Sequence, residues 1–173
     1  NIFTYDYTIM DGLALKASYV PSHTTGAVEG SVDYGVKFSP SAIEGLDVYA
    51  AMGENNDAAN SADVSMMAVS YASGPLSIGY QVNETDFGTG SSDEDFTAVG
   101  VSYALTDDLS VSVNTSVIDY EASSKDDQEA QAISFSHTSG GMTISGTYGK
   151  MDNVAGTSTA DNAAYELNFK FAF

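Results

Sequence analysis

Along nearly the whole chain apolar and polar residues take turns, and the three-and-four spacing of an amphipathic helix is almost absent. At the C-terminal end Tyr165, Leu167, Phe169, Phe171 and Phe173 share one parity, and Ala164, Glu166, Asn168, Lys170 and Ala172 the other. Successive side chains of a strand point to opposite faces, so this segment is a strand with one greasy and one wet face. The same rule marks Phe3 to Ile9, Leu13 to Tyr19, Val28 to Phe38, Leu46 to Met52 and Met67 to Tyr71. It then marks Leu76 to Val82, Val99 to Tyr103, Leu109 to Val117, Ile133 to Phe135 and Met142 to Tyr148. The pattern predicts an all-β chain of about eleven strands with no helix, forming a single domain over residues 1–173.

The connections alternate in length. Short turns fall at Met10 to Gly12, Ser39 to Gly45, Ala72 to Pro75, Thr106 to Asp108 and Thr138 to Gly141, where Gly, Pro, Asp and Ser serve tight reversals. Longer polar loops fall at Pro21 to Ala27, Gly53 to Ala62, Thr85 to Glu94, Glu121 to Gln128 and Asp152 to Asn162. An antiparallel meander with all its short turns at one end and all its long loops at the other is the layout of a transmembrane β-barrel. No apolar run approaches the roughly 20 residues of a membrane-spanning helix, but a spanning strand needs only about 9 to 11, every second one apolar.

The placement of charge agrees. On the apolar parity the only charges expected are Glu84, Asp119 and Lys150, at loop ends where they reach water. The opposite parity carries Asp6, Lys16, Glu29, Asp33, Lys37, Asp47, Glu166 and Lys170, the candidate pore-lining residues. Parity alone does not say which face is inside, since a soluble barrel or sandwich would bury the apolar set. Two features favour the membrane. The polar face is small and uncharged over Phe96 to Met151, and Tyr and Phe gather near strand ends, as in interfacial aromatic girdles.

Composition narrows the chemistry. Five basic residues, all lysine, stand against 24 acids for a net charge of -19, which excludes a nucleic-acid binder. There is no Cys, His23 and His137 are the only imidazoles, and no nucleophile elbow surrounds any Ser, so the chain is not expected to be an enzyme or to hold a cofactor. Acids crowd the long loops in "SSDEDF" and "KDDQE", where oxygen ligands could hold Ca²⁺ or bridge to lipopolysaccharide through divalent cations. No spacing matches an EF-hand, and solvated, mutually repelling loops are the plainer reading.

The last strand, "AAYELNFKFAF", resembles the C-terminal assembly signal of Gram-negative outer-membrane proteins, with Tyr165, Leu167, Phe169, Phe171 and Phe173 as its apolar positions. From "NIFTYDYTIMDGLALKASY" onward the whole chain resembles the C-terminal part of general diffusion porins of the alphaproteobacterial type. That resemblance implies an up-and-down transmembrane barrel of 16 strands, of which about eleven are here. It further implies a homotrimer in the bacterial outer membrane, in contact with lipid and lipopolysaccharide, inserted by the barrel-assembly machinery and completed by N-terminal strands of the same barrel. The family's constriction opposes a basic wall to an acidic inward loop, and this chain has no Arg for such a wall. The expectation is a water-filled channel passing small hydrophilic solutes and ions with a mild cation preference. The alternative is a non-conducting structural or adhesive barrel, or a secreted β-protein, whose acidic loops bind a partner.

Overall fold

The structure is a computed structural model that describes residues 2–22, 30–56, 61–88 and 92–172. It contains eleven strands: β1 (Phe3–Met10), β2 (Leu13–Val20), β3 (Ser31–Phe38), β4 (Leu46–Asn55), β5 (Ala62–Ser73), β6 (Leu76–Asp86), β7 (Glu94–Ala104), β8 (Leu109–Tyr120), β9 (Gln128–Ser139), β10 (Met142–Asp152) and β11 (Asn162–Phe171). Every apolar alternation described above falls on one of them, apart from Val28 and Phe173, which lie outside the described residues. The exception to strand and loop among the described residues is a short 3-10 turn at Val154–Gly156, inside the expected last loop.

All eleven strands form one sheet in sequence order, each antiparallel to the next, and among the described residues β1 and β11 do not pair. It is a partial barrel with two open edges. The registers keep the apolar parity in phase from end to end. One row runs Leu46, Tyr71, Ile78, Val101, Val113, Ile133, Tyr148 and Tyr165 across eight strands without changing face. A bulge between Thr8 and Met10 breaks the rule once, bringing Met10 opposite Leu13.

The short turns lie at one end and are tied to one another. The carbonyls of Gly12, Gly45, Pro75, Asp108 and Gly141 accept the amides of Ser39, Ala72, Ala104, Thr138 and Ala172, at 2.6 to 2.9 Å. Each turn is therefore tied to the neighbouring strand end on the same side of the sheet. Gly12 and Gly45 hold φ of +78° and +82°, where a Cβ would run into the carbonyls of Ser39 and Ala72. Glycine is the residue that suits both turns.

No hydrophobic core accompanies this sheet among the described residues. Among the described residues Ala62 is the buried apolar side chain, at 6% exposure, whereas a soluble domain of this size hides a large apolar interior. The large apolar residues stand outward, Ile133 at 55% and Phe135 at 42%, while the alternate residues of β9, Ala130, Ala132, Ser134 and Ser136, are half-buried. The polar face is the sheltered one and the apolar face the exposed one. That pattern belongs to a sheet curved with its polar side inward.

Candidate functional site

The polar face divides into two stretches. The first, on β1 to β4, carries charge. Asp6 and Lys16 sit opposite each other with Nζ to Oδ1 at 3.2 Å. Asp33 accepts a hydrogen bond from Ser18 Oγ at 2.6 Å, and its carboxylate lies over Gly53, where a side chain would displace it. Lys37 meets Asp47 at 3.2 Å and lies 5.2 Å from the centre of the Tyr49 ring. Asp47 also accepts hydrogen bonds from Ser39 Oγ and, at 3.3 Å, from the Tyr49 hydroxyl. Such exposed pairs are worth about 0 to 1 kcal/mol each. They fix where charge sits more than they stabilise the fold.

The second stretch, on β5 to β10, is a wall of small neutral groups. A row of hydroxyls crosses it from Ser77 through Ser102, Ser112 and Ser134 to Thr147, ending opposite Glu166 on β11. Ser134 and Thr147 hydroxyls stand 2.9 Å apart, and those of Thr138 and Thr143 3.0 Å. Of the described polar-face residues on these six strands the one charged is Glu94, at the loop end of β7. On β11 Glu166 accepts from Asn168 at 3.0 Å, and Lys170 faces Thr143.

The long loops after β6, β8 and β10 gather around Lys125. Its ammonium lies 3.9 Å from Glu94 and 4.0 Å from the centre of the Tyr120 ring, and its aliphatic stem fills the space beside Gly156. Further hydrogen bonds complete the cluster: Glu121 N donates to Asp93 O and Asp126 N to Gly156 O between backbones, and the Asn153 side-chain Nδ2 donates to Asp127 O, at 3.0 to 3.1 Å. Ala155 N reaches Gln128 Oε1 at 2.8 Å. Asn153, Ala155 and Thr159 hold positive φ there, a conformation costly to side-chain-bearing residues and kept by this tight set of contacts.

Seven of the eight candidate pore-lining residues therefore lie on the polar face. Asp6, Lys16, Asp33, Lys37 and Asp47 come together on β1 to β4, and Glu166 and Lys170 stand at the other edge; Glu29 lies outside the described residues. On the apolar side of β11 stand Tyr165, Leu167, Phe169 and Phe171, while Phe173 lies outside the described residues, as do His23, Val28 and Asp57.

Two expectations need correction. The apolar face carries more charge than Glu84, Asp119 and Lys150, because the strands run further than their apolar stretches. Glu54, Asp63 and Asp86 form one row on that face, Glu84, Asp95 and Asp119 another, and Glu129 faces Asp152. Lys150 is paired there with Asp152 at 2.7 Å. All lie toward the long-loop ends of their strands, so the middle of the face remains clear. Several acids assigned to loops are accordingly strand residues. Three aromatic residues of the polar face, Tyr49, Phe96 and Tyr120, are not picked out by the alternation, and their parity within β4, β7 and β8 is the signal that marks them.

A family model described as Gram-negative porin matches residues 1–173. The chain belongs to the Gram-negative porin family. Its place is the bacterial outer membrane. Solved structures share the fold of this porin chain at low identity. An anion-selective porin from Comamonas acidovorans superposes with a TM-score of 0.82 at 13% identity, over 100% of this chain and 59% of that one. The outer-membrane channel DcaP of Acinetobacter baumannii gives 0.73 at 14%, over 99% and 62%. A loop-deletion mutant of OmpT, an outer membrane protein of Vibrio cholerae, gives 0.71 at 20%, over 98% and 62%. The chain thus spans about three-fifths of the length of these porins. No curated protein sequence matches it.

Proposed function

We propose that this porin chain is the larger part of an outer-membrane channel through which small hydrophilic solutes and ions diffuse down their gradients. The observation that carries the reading is the exposure pattern: an apolar face turned to its surroundings, a polar face sheltered, and no apolar core between. Water on the sheltered side and hydrocarbon on the other satisfies both sets of side chains. The open edges at β1 and β11, and neighbours of which this chain spans only about three-fifths, support further strands that close the barrel. Homotrimer formation, contact of the charged upper rim with lipopolysaccharide, and capture of β11 by the assembly machinery are part of the same proposal.

On this reading Asp6, Lys16, Asp33, Lys37, Asp47, Glu166 and Lys170 line the pore. Charged rings on a pore wall bias which ions enter. Acids outnumber lysines among them and no Arg opposes them, which supports a mild cation preference. The Comamonas porin is anion-selective by name, but at 13% identity it shares only the fold.

Planar-bilayer recording under a KCl gradient tests both statements. The expected result is stepwise conductance with a reversal potential of the sign set by potassium, shrinking toward zero in the Asp33→Asn, Asp47→Asn double variant. Folded protein that never conducts would leave the non-conducting, partner-binding barrel. Conductance with an anionic reversal potential would overturn the cation preference alone.

A further inference from the structure

A depression of about 460 Å³ opens on the polar face between Tyr49 on β4 and Phe96 on β7. That volume lies within the range of small-molecule sites, about 300 to 1,000 Å³. Three strand spacings separate the two rings, a gap of about 14 Å along the hydrogen-bonding direction. Its floor is low over Ala68, Ser70, Gly79, Ala98 and Gly100, where a Cβ added at Gly79 would meet nothing within 4 Å, and Gln81 rises between Ala68 and Ala98 in the row of Tyr49. Two amides stand in it: Gln81, whose Nε2 donates to Asn83 Oδ1 at 2.9 Å, and Asn114, exposed on the next strand but one.

No charged side chain lines this depression. The nearest ion pair, Lys37 with Asp47, is mutually satisfied and anchored to the Tyr49 ring and hydroxyl, so it braces the aromatic wall and offers no free charge. The chemistry is therefore specific in kind. An ion would find no counter-charge here, and a purely apolar solute would leave the amides unpaired. A neutral solute with hydroxyls on its edges and C–H groups on its faces fits both, placing its faces against Tyr49 and Phe96 and its hydroxyls toward Gln81 and Asn114.

We propose that this wall is a binding site for neutral polyhydroxylated solutes of one or two sugar rings, giving the channel a weak preference for them over ions and equally sized ethers. The proposal rests on the polar face being the water-filled side, and its test separates the two. In planar bilayers, maltose added to the full-length protein is expected to reduce the current saturably, whereas a polyethylene glycol of equal hydrodynamic size reduces it only linearly. Tyr49→Ala and Phe96→Ala are each expected to weaken the maltose effect about three- to tenfold, with Ser136→Ala, outside the depression, unchanged. Equilibrium dialysis of labelled maltose against the detergent-folded protein reads the same affinities without any current. Binding that is lost in Tyr49→Ala, from a protein that does not conduct, would sustain the site and sink the channel. Maltose acting like the glycol and failing to bind in dialysis, or binding unaltered by both aromatic substitutions, would overturn the site.

Discussion

Adjacent residues on β8 give the sharpest test of which face meets lipid. Val113 stands on the apolar face at 52% exposure between Val101 and Ile133, and Ser112 on the polar face between Ser102 and Ser134. A twelve-residue strand tilted by about 40° spans about 30 Å of height, which puts Val113 within about 5 Å of the mid-plane of the apolar band. Lysine at such a depth on a lipid face costs about 2 to 3 kcal/mol, or a factor of about 30 to 150 in the folding equilibrium. Ser112→Lys places the same charge one residue along, among small hydroxyl side chains in water, and should change stability by less than about 0.5 kcal/mol.

The assay is urea-dependent folding of the full-length protein into phospholipid vesicles, followed by the mobility shift of the folded barrel on unheated gels. Val113→Lys should lower the midpoint markedly and Ser112→Lys hardly at all. Equal losses would mean that neither face is hydrocarbon. A larger loss for Ser112→Lys would reverse the assignment of the two faces, and with it the proposed pore wall.

Three further outcomes follow from particular contacts. Gly45→Ala forces a side chain into φ +82° against the Ala72 carbonyl and should cost about 1 to 3 kcal/mol in the same titration, so an unchanged midpoint would mean that the turn relaxes freely. Lys125→Gln removes the single cation within the loop cluster of β6–β7, β8–β9 and β10–β11, leaving Glu94, Asp126 and Asp127 to repel. Cleavage by a protease specific for acidic residues should then become several-fold faster at 121–129, and an identical digestion pattern would show that the backbone links alone hold the loops. Phe173→Ser should slow assembly in cells without altering the stability of barrel already folded, and insertion at the normal rate would remove β11 as the assembly signal.

The strands, the alternation of turns and loops, and the division into two faces were legible because a period of two is preserved over every strand, and each register keeps that period in phase with its neighbour. Residues lying where apolar runs stop were not. β5 was read from Met67, yet it begins at Ala62, so Asp63 became a face residue and met Asp86 and Glu54 across the ladder. Strand pairing continues past the hydrocarbon band because backbone hydrogen bonds need partners in the interface too. Apolar patterning marks the band, and the hydrogen-bonded strand is longer. Lys125 could not be placed either, since its partners come from β7, β8 and the loop after β10, brought together only by the order of strands.

What parity left open, the inside and the outside, was nevertheless written in residue size. Bending a sheet brings the side chains of its concave face together and spreads those of the convex face. The polar parity of β6 to β10 is built largely from Ser, Gly, Ala and Thr, as in Ser77, Gly79, Gly100, Ser102, Ser112 and Ser134, while the other parity holds Tyr80, Tyr103, Phe135 and Tyr148. A soluble sandwich needs the reverse, because its large apolar residues must fill the interior between sheets. Size and polarity point the same way on this chain, to a concave polar wall. Tyr49 and Phe96 interrupt that economy of size on the polar side, and Ala68, Gly79, Ala98 and Gly100 beside them leave the depression that the proposed solute site occupies.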